Sequence, residues 1–389
     1  MDWVEPDYAG GSIVNLSASL LQAFGAEPPN SPCGLIEPEW LAGGRGVVLV
    51  VCDALGRRQL HAALRTDRVP NLARLVEESA GGLQQLTSIF PSTTTAALTS
   101  INTARTPAQH GMMGMYQWID EVGALCNMLQ FATMADEPVP FSEELLRSGP
   151  TIYELLAARG APSYVISSMD YEGTAFTNLL HQGAQYLGCL SQSDISHLLE
   201  TSFEQAGGRR SFHYVYWPTV DTIAHAYGPL SEVHLLELEF VDLMLGKIMA
   251  HCAAAGYGLV FAADHGQAAL EPERALRLNG DLRGLLRHHP GGGRRAMYLS
   301  ADDREAVREN AALREHDVQV VDSEDAIARG WFGGDCGRYR TRVGDLIALT
   351  AGGRQLLYDF GKGITVYRGA HASLTADEML VPLLVRPPD

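Results

Sequence analysis

Several common classes are excluded by what the sequence lacks. No apolar run reaches the roughly 18 residues that a bilayer-spanning helix needs. Cysteine is sparse: Cys33, Cys52, Cys126, Cys189, Cys252 and Cys336 are widely scattered, with no CxxC pair. That argues against a zinc ribbon or a disulfide framework, and the thiols are expected to be buried and reduced. Positive charge is short too. Lys and Arg number 29 against 46 Asp and Glu, a net charge of −17. No basic stripe is available to neutralise a nucleic-acid backbone, so no nucleic-acid scaffold is expected as partner. An acidic protein can still hold a small phosphate ester when bound metal ions supply the attraction. The first eleven residues are acidic and polar, unlike a secretory signal. The expectation is a soluble, cytoplasmic protein. Internal repeats and low-complexity tracts are absent as well.

What is present reads as an ordinary globular chain. It has 389 residues, 46% hydrophobic and 19% charged, enough for a large core. The organising stretch is Gly46-Val-Val-Leu-Val-Val-Cys-Asp53, a short apolar run, β-branched in its middle, that ends on a carboxylate. A strand buried on both faces of a parallel sheet has this pattern. An acid at its carboxyl end stands where open α/β sheets place their ligands. Helical spacing is expected over 12–25, 69–80, 151–159, 193–205 and 231–255, and strands over 83–89, 163–168, 212–217, 258–263 and 364–368. Residues 116–140 read as a loop or hairpin excursion near the site. The alternation predicts an α/β fold: a doubly wound, mostly parallel central sheet flanked by helices. Composition shifts after Gly266, with more Arg and Gly, including Gly291-Gly292-Gly293. Residues 1–270 with 361–389 are therefore expected to form the core, and 271–360 an inserted, smaller cap subdomain.

Chemistry-bearing residues gather at the strand-to-loop junctions: Asp53, then Phe90-Pro91-Ser92-Thr93-Thr94, then Asp221 with His225, then Asp264-His265, and late in the chain His371. Imidazole and carboxylate together suit Zn²⁺ and similar divalent ions. Asp221 and His225 are spaced i, i+4, so a helix there puts both on one side. Asp264 and His265 are adjacent and can approach one ion only if the backbone turns. Such a ligand set suffices for two ions, about 3.5–4 Å apart, that activate a nucleophile and hold a leaving oxygen. A threonine hydroxyl is a weak nucleophile until a metal activates it, and a helix start adds amide donors for an anion. The run Thr93-Thr94-Thr95 offers both, and spacing alone does not choose among the three.

Four stretches together resemble the type I phosphodiesterase/nucleotide pyrophosphatase group of the alkaline phosphatase superfamily: VVLVVCDALG, IFPSTTTAALTSINTARTPAQHGMMGM, YWPTVDTIAHAYG with FAADHG, and GAHASLTADEMLVPLLV. The resemblance runs from about Val47 to Val385 and is weakest in the cap. It implies an alkaline phosphatase-like core. It also implies one metal on Asp221, His225 and His371, and a second on Asp53, Asp264 and His265. Thr94 falls at the family's nucleophile offset from the Phe-Pro pair, touching the second metal, and His110-Gly111 matches a structural turn. The activity implied is hydrolysis of a small phosphate ester, through a phosphothreonine. Zn²⁺ fits the ligand set best, with Mn²⁺ as the alternative. One departure stands out: the family's nucleotide pyrophosphatases carry an Asn donor three residues after the nucleophile, and in this chain that position is Ala97. The sulfatase motif CxPxR or SxPxR is missing. Tyr116 and Trp118, with Met115, are candidate walls of the substrate pocket, against core packing as the plainer reading. Arg294, Arg295, His288 and His289 either face substrate or sit on a solvated loop. The alternatives are a phosphomonoesterase with the same machinery, or a metal- or phosphate-binding protein without turnover.

Overall fold

The structure, a computed structural model, describes residues 2–139, 149–278, 280–315, 317–361 and 363–388. Its centre is a seven-stranded sheet. In chain order the strands are β1 (Gly46–Cys52), β2 (Gln84–Thr87), β3 (Ser163–Ser168), β4 (Gln185–Cys189), β5 (Ser211–Trp217), β6 (Gly258–Ala262) and β7 (Leu380–Arg386). Across the sheet they stand in the order β2-β7-β6-β1-β5-β3-β4. Strand β1 pairs in parallel with both β5 and β6. Only β7 runs against the rest, antiparallel to β2 and to β6. All seven residues of β1 are buried, as its continuous apolar run requires at the centre of a sheet covered on both faces. The helices Ile13–Ala23, Pro70–Glu78, Ile195–Ala206 and Glu232–Ala255 belong to this α/β layer system, and their apolar faces join the sheet in one core. No described helix is long and apolar enough to cross a membrane. All six cysteines are free and buried.

This topology explains why distant residues meet. In a parallel sheet all the carboxyl ends lie along one edge. Strands β6, β1 and β5 are neighbours, and the residues after them are Asp264-His265, Asp53 and the helix carrying Asp221 and His225. Because β7 is reversed, its amino end lies on that same edge, and the segment leading into it carries His371. Strand β2 feeds the helix Thr94–Thr103.

A second sheet, entirely antiparallel, draws on two separated stretches. Val318–Asp322, Leu346–Thr350, Ala296–Leu299 and Gly291–Gly292 come from one, and Tyr116–Ile119, Ala124–Asn127 and Ala132–Thr133 from the other. They join where Gly292 pairs with Tyr116. Residues 116–133 are thus a three-stranded meander. The stretch 364–368, expected as a strand, has no ladder. Side chains hold part of its backbone, Arg294 donating to the Thr365 carbonyl and Gln355 Nε2 to that of Tyr367, while the Arg368 amide donates to the His225 carbonyl and the Arg368 carbonyl accepts from the Leu270 amide. The strand is confined to Gly369–Ala370, paired with Ala268–Ala269.

Candidate active site

Six side chains from the sheet edge form two tight groups. The donor atoms of Asp53, Asp264 and His265 lie within 4.8 Å of one another, and so do those of Asp221, His225 and His371. The two groups adjoin: the rings of His265 and His371 stack with centres 3.9 Å apart. Asp264 and His265 lie beyond the end of β6, where the chain has left its extended form. That turn lets adjacent residues face one centre. His265 Nε2 stands 3.3 Å from Asp264 Oδ2 and 3.5 Å from Asp53 Oδ1. On the helix Thr219–Tyr227, the i, i+4 spacing brings His225 Nε2 to 3.3 Å from Asp221 Oδ2, and His371 Nε2 is 3.6 Å from Asp221 Oδ1.

The hydrogen bonds behind these side chains fix what they offer. Each histidine Nδ1–H donates to a backbone carbonyl: His225 to Gly369 at 2.6 Å, His371 to Ser92 at 2.7 Å, His265 to Gly266 at 3.0 Å. A neutral imidazole so anchored turns a bare Nε2 lone pair into the site, the usual support of a metal-binding histidine. The carboxylates are also oriented. Tyr216 donates its hydroxyl to Asp53 Oδ2. Asp264 Oδ1 accepts from the Ala54 and His265 amides at 3.1 and 2.9 Å. Gln267 Nε2 donates to Asp221 Oδ1 at 2.9 Å. Two buried oxygens, Asp53 Oδ1 and Asp264 Oδ2, have no hydrogen-bond partner among the described residues. Buried carboxylate oxygens left bare are costly unless a cation completes them. Mixed N and O donors, three to a group, fit a divalent ion such as Zn²⁺ with an open position for a ligand.

The electrostatics of the cluster point the same way. Burial, then the nearby Asp264 and Asp221 charges, push the Asp53 carboxyl well above its usual range. Burial lifts Asp264 to about 6. Burial also holds His265 down to about 4 and His371, helped by His265, to about 3. At Asp221 burial pushes upward, but His225 and His371 outweigh it and hold the carboxyl low. Burial thus keeps His265 and His371 neutral, the form that ligates metals, whereas at His225 burial pushes downward but Asp221 outweighs it and raises the imidazole.

The threonine run is sorted by position. Thr93 precedes the helix Thr94–Thr103, and Thr94 is its first residue. Thr93 and Thr95 are buried, their hydroxyls 3.5 Å apart. Thr94 is the partly exposed one, and its hydroxyl donates to His265 Nε2 at 3.2 Å. Two alanines beside the cluster carry strained backbone: Ala54, after Asp53, has φ 59°, and Ala372, after His371, has φ 116°. Ala104, Phe131, Asp136, Leu230 and Cys336 have positive φ elsewhere, but two such residues flanking one cluster fit the strain that functional sites hold.

Thr94, Asp53, Asp221, His225 and His371 line one cavity of about 360 Å³. Its lining is also aromatic, with Tyr171, Phe176, His181, Tyr186 and Tyr214, which no sequence pattern marks. Of the two candidate wall residues, Tyr116 lines the cavity and Trp118 does not. Both are on the face of one strand, but Trp118 lies two residues further along, about 6–7 Å away. Its ring stacks on His288 with centres 4.1 Å apart, and its indole donates to Asp120. Met115 is also a wall residue. Arg294 faces the cavity, whereas Arg295 is fully buried against Glu378, so neither rides on a solvated loop. His289 Nδ1 bonds the Tyr358 hydroxyl at 2.9 Å. His110 is buried elsewhere, bonded to Ser100 and the Met112 amide.

The model of the type I phosphodiesterase/nucleotide pyrophosphatase family matches residues 47–373. The chain belongs to this family. It is thereby a hydrolase of the alkaline phosphatase superfamily, of the phosphodiesterase/pyrophosphatase kind, and the family is metal-dependent. Among solved structures, murine ectonucleotide pyrophosphatase/phosphodiesterase 5 superposes with a TM-score of 0.67 at 17% identity, over 88% of each chain. Phosphonoacetate hydrolase from Sinorhizobium meliloti 1021, in complex with phosphonoformate, gives 0.65 at 19% identity, over 87% of this chain and 89% of that one. At such identities these structures share the fold, and their ligands are their own. None of the curated proteins matches the chain in sequence.

Proposed function

We propose that this cavity hydrolyses phosphoric diesters through a covalent intermediate on Thr94. The observation that carries the reading is the Thr94 hydroxyl at the start of a helix, 3.2 Å from His265 Nε2, beside two adjoining groups of metal-ligating side chains. Asp53, Asp264 and His265 would hold one divalent ion and Asp221, His225 and His371 the other, with Zn²⁺ favoured by the donors and Mn²⁺ second. When bound, such ions neutralise the charge that develops on the phosphoryl oxygens and on the leaving group. The chain's own part is to aim the nucleophile. Thr94 Oγ1 attacks phosphorus and gives up its proton to solvent, the bond from phosphorus to the leaving oxygen breaks, and that group departs as its alcohol after taking a proton from water; the phosphothreonine left behind still carries the second ester group, and water then attacks phosphorus, releases a phosphomonoester and returns a proton to Thr94 Oγ1. As the first residue of its helix, Thr94 has the amide donors of that helix start close to its oxygen, where the phosphoryl anion develops. Asp53 is held by Tyr216 and the three imidazoles by backbone carbonyls, so little reorganisation is needed.

The aromatic recess favours a diester over a monoester. A diester has a second organic group to house, and Tyr171, Phe176 and Tyr214 give it an apolar, stacking wall. A threonine-to-alanine form of the murine neighbour is described as inactive and in complex with AMP, which parallels the nucleophilic role proposed for Thr94. The test is Thr94→Ala assayed on bis(4-nitrophenyl) phosphate, with bound metal counted by elemental analysis. The expected result is unchanged metal content with turnover lowered at least about a thousandfold. Turnover at the parental rate overturns the assignment. A parent protein faster on 4-nitrophenyl phosphate than on the diester turns the reading to a phosphomonoesterase.

A further inference from the structure

The glycine run 291–293 has a use that the hydrolytic machinery does not account for. A Cβ on Gly293 would stand 2.9 Å from the Ala372 Cβ and 3.6 Å from Thr93 Cγ2. Gly292 has φ +82°. The run therefore threads the chain past the residues beside Thr94 and His371, where a side chain would not fit. The next residue, Arg294, is delivered into the cavity wall.

Arg294 is held firmly. Its guanidinium carbon lies 4.0 Å from the centre of the Tyr367 ring, and Tyr367 packs on His225 with ring centres 4.6 Å apart. Its Nη1 donates to the Thr365 carbonyl and, at 3.4 Å, to Gln355 Oε1. Among the described residues it is the one Arg or Lys that lines the cavity. Among them, too, no carboxylate reaches it within ion-pair distance, and its Nε and Nη2 have no hydrogen-bond partner. A stacked guanidinium with free donors is built for a bidentate anion, carboxylate or phosphate.

We propose that Arg294 is a specificity-determining residue that binds a second anionic group, a carboxylate or a phosphate, carried by the substrate apart from the phosphoryl group under attack. This rests on the cavity being the ester-hydrolysing site, but its test uses binding and needs no turnover. Zinc-loaded protein is titrated calorimetrically with propylphosphonate, 3-phosphonopropanoate and methylenebisphosphonate, for the parent, Arg294→Ala and Arg294→Lys. The first probe has no second anion, and the other two separate a carboxylate from a phosphate. The parent is expected to prefer at least one doubly anionic probe by about 10- to 100-fold, the range of a charge-assisted bidentate contact. Arg294→Ala removes most of that ratio and Arg294→Lys restores part of it. The proposal is overturned if the parent shows no preference or binds none of the probes. A ratio unchanged in Arg294→Ala overturns it as well. So does an equal loss for all three probes, which would put Arg294 on the phosphonate common to them.

Discussion

Replacing Glu378 by Gln isolates a single buried charge that joins the second sheet to the segment carrying His371. Glu378 and Arg295 are both fully buried, with Nε to Oε1 at 2.9 Å and Nη2 to Oε2 at 3.0 Å. The other guanidinium donors are spent on the carbonyls of Gly352, Arg354 and Thr350. Glu378 also accepts from the Ser373 amide at 2.9 Å and from the Thr375 hydroxyl. Glu378→Gln keeps the shape but points an amide N–H₂ at a guanidinium and strands one positive charge. Breaking such a pair costs about 3–5 kcal/mol. Unfolding entropy near 2.1 cal/mol/K per residue gives roughly 0.8 kcal/mol/K for 389 residues. The expected fall in Tm is therefore about 4–6 °C, measured by differential scanning calorimetry. Arg295→Met combined with Glu378→Leu strands no charge but leaves the carbonyls of Gly352, Arg354 and Thr350 and the Ser373 amide without these partners, so its loss is expected to fall short of the sum of the two single variants' losses. A single variant that melts within about 1 °C of the parent refutes the reasoning.

Two other perturbations have definite outcomes. Tyr216→Phe deletes the hydroxyl that steadies Asp53, and loss of such an outer partner weakens metal binding about 10- to 100-fold; competition against a chromophoric chelator reads this, and an unchanged dissociation constant counts against it. Acid should destabilise the fold through buried neutral histidines: burial holds His110 and His213 down to about 3. Both folded values lie below the ordinary one near 6.5, so the stabilisation is full above that pH and is lost as pH falls toward 3, at about 1.4 kcal/mol per pH unit for each. His110→Asn should flatten the dependence of Tm on pH between 6.5 and 4, and an unaltered slope would contradict it.

Much of the site was legible because it sits at strand ends. A buried parallel strand announces itself as an uninterrupted apolar run, and the residue after it has one place to go. Asp53 and the pair Asp264-His265 are readable for that reason, and Asp221 with His225 by helical spacing. His371 is different in kind. It precedes the one reversed strand, and nothing local says that β7 enters antiparallel between β2 and β6. Only the family's spacing pointed to it.

What stayed hidden has a common physical cause: it depends on pairing between distant backbones. The meander 116–133 joins strands from 291–350 through a single bridge at Gly292 and Tyr116, and alternation within either stretch carries no trace of its partner. The anchors of His225 and His371 are the distant carbonyls of Gly369 and Ser92, groups that every residue possesses and no sequence pattern marks. The stretch 364–368 misled for the converse reason. Its apolar and β-branched residues suit a strand, but Arg294 and Gln355 take the backbone groups of Thr365 and Tyr367 that a strand ladder would need. Those same contacts fix Arg294 beside Tyr367 and His225. The segment that fails to become a strand thus builds one wall of the cavity, and side-chain capture of backbone is how this fold turns an edge into a binding surface.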